Sequence, residues 1–397
     1  MRKLLTFFLC IIFCVGVGAK SKPHYTVIVS LDGCRWDYPL WYHTPFLDSM
    51  AAKGISAVMY PSFPSKTFPN HYTLATGLYP DHHGILANTF FDREKKSEYS
   101  IGDSVTRNDP YFYGGEPIWV TAEHQGVRTA SVYWVGSDLA IKGTFPSYFL
   151  YYSKTPRLNF DERVTKIINL LKQPENKRPH LVMAYFEEPD GCGHHYGPQG
   201  KETGSMVRSL DSLMSRLWQG IQSLPIGGDV NLIITADHGM TSISPERIVP
   251  VKKYLKSTWI VKVDGNVPGM IYTRPGCVDS VMTALKDVPH IHTWRKADVP
   301  AYLHFGTNRN IGDVVVLPDL GWLFDDKPSS SKGNHGYDPT SSDMQAIFRA
   351  IGPDFKQGYA KPDKFKNVDV YPLLSHLLGV IPAPNDGNLD EINDMLK

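Results

Sequence analysis

The chain has 397 residues, 42% hydrophobic and 12% aromatic, a globular composition with length for one large domain or two ordinary ones. Its 41 Lys+Arg balance 40 Asp+Glu, leaving no basic surplus to grip phosphates, so nucleic-acid polymer binding is not expected.

Residues 1–19, MRKLLTFFLCIIFCVGVGA, run from a short basic start through an apolar stretch to small residues, with Val17 and Ala19 placed for cleavage after Ala19. We read a signal peptide over 1–19 and an exported, soluble catalytic unit over 20–397, periplasmic or extracellular. No later apolar run approaches the ~20 residues of a membrane span. Of five cysteines, Cys10 and Cys14 fall in the leader; the remaining Cys34, Cys192 and Cys277 cannot all pair, so this is not a disulfide scaffold.

Strand-like runs follow at 25–31, 55–60, 128–134, 180–186, 230–236 and 344–352. Several are continuously apolar, as strands covered on both faces are. Helical patterns lie between them at 44–53, 67–76, 116–125, 159–172, 203–222 and 368–378. This alternation predicts an α/β fold, a three-layer sandwich with a largely parallel central sheet. Residues 246 to about 310 break the rhythm with short strand candidates and are expected to form a small inserted subdomain. Residues 326–337, DKPSSSKGNHGY, read as a polar loop.

The stretch YPSFPSKTFPNHYTLATG (60–77) places Thr67 at a predicted helix start, with Pro69 in the first turn. Such a threonine is either a helix cap or a hydroxyl held where backbone N–H groups and the helix dipole favour an anion, as suits a nucleophile attacking phosphate. Four other segments put acids or histidines beside buried strands: LDG (31–33), EEPDGCGHHYGP (187–198), TADHGM (235–240) and GNHGY (333–337). Singly, each has a bland reading: Asp32-Gly33 as a turn, Asp190 with His194 as a solvated pair, His335 as a loop residue. Together, Asp32, Asp190, Asp237, His194, His238 and His335 suffice for two three-residue sites with oxygen and nitrogen ligands, zinc's catalytic pattern. Ligands gather at the carboxyl ends of strands in open α/β sheets, so these segments are expected to share one crevice. Two ions in such sites clamp the attacking and leaving oxygens of a displacement at phosphorus, and a threonine hydroxyl needs that activation.

The order Asp…Lys-Thr-Phe-Pro-Asn-His…Asp-x-x-x-His…Asp-His-Gly…Gly-x-His-Gly resembles the nucleotide pyrophosphatase/phosphodiesterase family of the alkaline phosphatase superfamily, from about Val27 to the end of the chain. Cys-rich or nuclease-like segments of the larger animal members have no counterpart here, so the chain resembles a stand-alone catalytic domain. The resemblance implies an alkaline phosphatase-like fold and two Zn2+. One ion would be held by Asp190, His194 and His335, the other by Asp32, Asp237, His238 and the Thr67 oxygen. It also implies that Thr67 attacks phosphorus to form a phospho-threonine, which a zinc-bound water hydrolyses, with Asn88 hydrogen-bonding the phosphate oxygen. Phe68 and Tyr152 match the family's walls around a nucleobase, Ile101 an apolar neighbour, and Asp138 a position near the base. Base-on-aromatic stacking is worth about 1–3 kcal/mol and tolerates any base.

The expected partner is a small nucleotide or nucleotide-like phosphodiester, cleaved to a nucleoside 5′-monophosphate by a monomer. Sulfatases use Cys/Ser-x-Pro-x-Arg where this chain has Thr67-Phe68-Pro69-Asn70-His71, and monoesterases of the superfamily use an arginine motif not seen around Thr67 or Asn88. Two alternatives stay open: a choline- or lysophospholipid-directed phosphodiesterase of the same family, and a non-catalytic secreted nucleotide-binding protein. A Ser/His/Asp hydrolase is excluded for want of a G-x-S-x-G elbow. Cys34 and Cys192 depart from the family pattern; convergence of Asp32 and Asp190 would bring the thiols together, and a disulfide between them is a further expectation. His82, His83 and His195 match no ligand position.

Overall fold

The computed structural model describes residues 23–397; the leader expected over 1–19 lies outside the described residues. In chain order, the elements that carry the site are β1 (Tyr25–Leu31), α1 (Pro45–Lys53), β2 (Ile55–Tyr60), α2 (Thr67–Thr76), α3 (Ile118–His124), β3 (Thr129–Val132), α4 (Phe160–Leu171), β4 (Leu181–Phe186), α5 (Asp190–Tyr196), α6 (Lys201–Gln222) and β5 (Val230–Thr235). After an intervening small sheet come β6 (Ala346–Ile351) and α7 (Val370–Leu378).

The main sheet runs β2-β6-β5-β1-β4-β3, with two short strands from the 359–366 segment added along β2. The β5-β1-β4-β3 block is parallel, whereas β6 is antiparallel to both β5 and β2. Every residue of β1, β4 and β5 is buried, which explains runs such as VNLIIT: a strand covered on both faces has no solvent side to alternate towards. Two helix layers provide the cover. Helices α1, α4 and α6 pack among themselves, and α2, α3 and α7 pack among themselves, giving the three layers.

Local chemistry sets the helix ends. Asn159 and Glu162 form a reciprocal capping box at the start of α4, and α2 stops at Gly77, whose φ of +66° suits a residue without Cβ. At the start of α2 the capping position belongs to Lys66, in extended conformation, and Thr67 is the first helical residue. The cap reading of Thr67 is thereby corrected by one position, and its hydroxyl is free for another partner.

Between β5 and β6 a four-stranded antiparallel sheet is built from Ile260–Asp264, Gly269–Thr273, Ile291–Arg295 and Val314–Pro318 around a separate small core that includes Ile271, Leu285 and Val316. It reaches Pro318, past the break in rhythm that the sequence suggests near 310.

Candidate active site

Parallel β1, β4 and β5 end at one edge of the sheet, and the antiparallel β6 begins there. Asp32 follows β1, Asp190 opens α5 after β4, Asp237 and His238 follow β5, and His335 lies in the loop leading to β6. Asp32, Asp237 and His238 form one triad and Asp190, His194 and His335 another; within each, one ligand atom per residue lies within 4.8 Å of the others. The rings of His238 and His335 stack with centroids 3.6 Å apart, so the triads adjoin. Gly33 permits this closeness: its φ is +67°, and a Cβ there would sit 3.0 Å from the Asp190 Cβ.

The three histidines are oriented alike. Nδ1 of His194 donates to the Gly333 carbonyl, that of His238 to the Gly239 carbonyl and that of His335 to the Ser65 carbonyl, each at 2.8 Å. Carbonyls only accept, so Nδ1 carries the proton and Nε2 keeps the lone pair with which a histidine could take a metal. Those Nε2 atoms face carboxylate oxygens: His238 lies 3.0 Å from Asp237 Oδ2, His194 3.4 Å from Asp190 Oδ1 and His335 3.6 Å from the same Asp190 oxygen. Asp32 Oδ1, Asp190 Oδ1 and Asp237 Oδ2 are buried without a hydrogen-bond partner among the described residues. A proton can bridge one nitrogen–oxygen contact of this kind; a whole set of lone pairs facing lone pairs fits cations held between them. Electrostatics agrees. Burial, with the neighbouring Asp237 and Asp190 carboxylates, pushes the Asp32 carboxyl well above its usual range, the mark of crowded negative charge. Burial, with His238, Lys66 and His194 nearby, holds His335 well below its usual range, whereas at His238 burial is outweighed by the Asp237 and Asp190 carboxylates, which raise it, a pull towards positive charge that a bound cation would satisfy.

The shell behind the ligands includes residues that sequence reasoning missed. The Tyr185 hydroxyl donates to Asp32 Oδ2 at 2.6 Å, and the Gly33 N–H donates to Asp237 Oδ1 at 3.1 Å. His71 is fully buried; its Nε2 meets Ser30 Oγ at 2.8 Å, and its Nδ1 lies 2.9 Å from the Thr67 carbonyl and 3.4 Å from Asp237 Oδ2. The signal for His71 was its spacing, one helical turn after Thr67; Tyr185 had none beyond its strand. Tyr185→Phe is expected to weaken metal affinity about 10–100-fold with the fold intact, as measured by competition with a chelator of known affinity.

Thr67 Oγ1 lies 3.3 Å from His238 Nε2, at the junction of the triads. The Asn88 side chain accepts from the Phe68 N–H through Oδ1 at 3.0 Å, which leaves its amide NH2 as the donor end. A narrow cavity of about 20 Å³ adjoins Phe68 and is walled by Tyr152 and Asp138 together with Arg107, Tyr133 and Tyr185. Asp138 Oδ2 accepts the Tyr152 N–H at 3.1 Å and so positions that ring. Ile101 is not among the wall residues; its carbonyl accepts from Arg107 Nη1 at 2.9 Å and orients the wall from behind. Tyr133 adopts φ +67°, an outlier for an aromatic residue of the kind that collects at ligand sites. His83 is buried against Thr73 and the Pro69 carbonyl, and His82 pairs with Asp386, both away from the triads.

The Cys34–Cys192 disulfide does not form. Asp32 and Asp190 do converge, yet both thiols are free. Cys34 is buried in the field of Arg349, where desolvation pushes its thiol up to about 12, and Cys192 lies on α5 beside Glu188, its thiol pushed up to about 11 by partial burial and that carboxylate. In unreduced native protein, alkylation is expected to be slow at Cys192 and to reach Cys34 only after unfolding, as read by mass spectrometry.

An α/β sandwich of the alkaline phosphatase type, with two adjoining candidate metal-binding triads and a threonine at its strand ends, defines the class of protein. Residues 26–338 match the model of the Type I phosphodiesterase / nucleotide pyrophosphatase family. The chain belongs to that family. Ectonucleotide pyrophosphatase/phosphodiesterase family member 5 of Homo sapiens is 34% identical over 93% of this chain and 77% of the relative. Family member 1 of Mus musculus is 36% identical over 95% of this chain, which spans only 43% of that longer protein. Among solved structures, murine ectonucleotide pyrophosphatase/phosphodiesterase 5 superposes with a TM-score of 0.89 at 32% identity, covering 94% of this chain and 100% of the murine one. The same protein has been solved as an inactive threonine-to-alanine form in complex with AMP, also at a TM-score of 0.89.

Proposed function

We propose that this chain is an exported two-zinc phosphodiesterase that hydrolyses nucleotide phosphodiester or pyrophosphate bonds to nucleoside 5′-monophosphates through a phospho-threonine at Thr67. The observation that carries the reading is the position of Thr67 Oγ1, 3.3 Å from a ligand nitrogen of one triad while that ligand ring stacks on the other triad. Bound in the two triads, zinc would supply Lewis-acid charge that makes the threonine hydroxyl nucleophilic and neutralises the leaving oxygen. The chain's own residues do the rest. The Thr67 oxygen attacks phosphorus, the Asn88 amide donates to a phosphate oxygen as charge accumulates there, and water then releases the nucleoside monophosphate from Thr67. Phe68 and Tyr152, which line one narrow cleft, are the walls of the base subsite and must part to admit a base; the AMP complex of the murine relative supports that ligand class.

A substrate panel tests this. Zinc-loaded protein is expected to cleave a p-nitrophenyl nucleotide diester at least ~100-fold faster than p-nitrophenyl phosphate, and to release AMP from ATP. Preference for the monoester, or for choline esters and lysophospholipids over nucleotides, would overturn it. Absence of turnover with nucleotides bound would favour the non-catalytic alternative.

A further inference from the structure

Lys66, immediately before the nucleophile, has no part in the chemistry above, yet it is built into the site. Its stem crosses the bare face of Gly336, at φ +110°, where a Cβ would come within 2.4 Å of the Lys66 Cε and 3.0 Å of its Nζ. Its ammonium reaches Asn334 Oδ1 at 3.5 Å, the outer limit of a hydrogen bond, and an ammonium has three donors to place. Ser65 pins the same two segments together: its hydroxyl donates to the Tyr337 carbonyl at 2.6 Å, and its carbonyl takes the His335 Nδ1–H at 2.8 Å. The Lys66 amine is thereby held against the His335 loop, where burial pulls it down to about 8 against the opposing field of Asp190.

That places it on one particular side of the reaction. Thr67 Oγ1 approaches from the Asp32/Asp237/His238 triad. An in-line displacement sends the leaving oxygen the opposite way, towards Asp190, His194 and His335, where Lys66 lies. We propose that Lys66 is a specificity-determining residue that binds the anionic group on the leaving side, the β-phosphate of a pyrophosphate-linked substrate. It favours such substrates over diesters whose leaving group carries no further charge. This rests on the phosphodiesterase reading above. A charge-assisted contact of this kind discriminates by about 10- to 100-fold.

The test compares wild type, Lys66→Met and Lys66→Arg on ATP and on a p-nitrophenyl nucleotide diester, with metal content and melting temperature recorded for each. Lys66→Met is expected to lose about 10- to 100-fold in kcat/KM on ATP and less than about threefold on the diester; Lys66→Arg, which keeps the charge, is expected to keep the wild-type ratio. Equal losses on both substrates, or no loss on ATP, would overturn the inference. Calorimetric binding of inorganic pyrophosphate, expected to weaken by a similar factor in Lys66→Met, keeps the two readings apart. If wild type binds pyrophosphate through Lys66 but cleaves neither ester, the functional reading has failed and the subsite stands; unchanged binding sinks the subsite alone.

Discussion

Thr67→Ala is expected to lower turnover of a nucleotide diester by about 10^3-fold or more while both metals stay bound. Asp32, Asp237 and His238 would still hold one ion without the threonine, and the other triad does not include it. Metal content by elemental analysis should therefore remain near two ions per chain as activity disappears. The fold should survive, because the hydroxyl's polar contact is with His238 Nε2 rather than with the start of α2, where Lys66 holds the capping position. Loss of both metal and activity would make Thr67 a structural ligand; retained activity would remove it as the nucleophile.

Stripping the metals is expected to lower the melting temperature by on the order of 10 °C and to reverse the sign of one substitution. A ligand present at ~1,000 times its Kd stabilises the native state by about 4 kcal/mol per site, which for a chain of this length amounts to several degrees each. Without cations the Asp32, Asp190 and Asp237 carboxylates repel one another in a buried site. The folded protein then holds the Asp32 proton more tightly than the unfolded chain does, since burial and its two neighbours raise that carboxyl well above the usual range. A group raised in the folded state costs stability as pH climbs above its unfolded value of about 3.9. Asp32→Asn should therefore stabilise the stripped protein at neutral pH and destabilise the zinc-loaded one, with the Tyr185 hydrogen bond still available to the amide oxygen. Scanning calorimetry of both forms with and without chelator reads the two signs. The same sign in both would mean that the triads do not hold cations.

Much of the fold was legible because the signals are local. A continuously apolar run such as LVMAYF states by itself that both faces are covered, and α4 lies within the helical pattern read at 159–172. The antiparallel β6 was not legible, since direction within a sheet depends on which neighbours a strand finds. That direction has a consequence for the site: because β6 starts at the edge where β1, β4 and β5 end, the loop before it can deliver His335 to a centre otherwise built from loops after strands.

What the sequence by itself determined was the inventory: Thr67 at the head of a helix, six potential ligands beside buried strands, and aromatic residues near them. Spacing and periodicity carry that information because they act within a few residues. What only the tertiary structure decided was company. Tyr185 meets Asp32 across 153 positions, Lys66 meets Asn334 across 268, and Cys34 and Cys192 miss each other although the aspartates beside them converge. Contacts at such separations follow from strand order and from the direction in which each side chain leaves its backbone, and neither has a local period to be read.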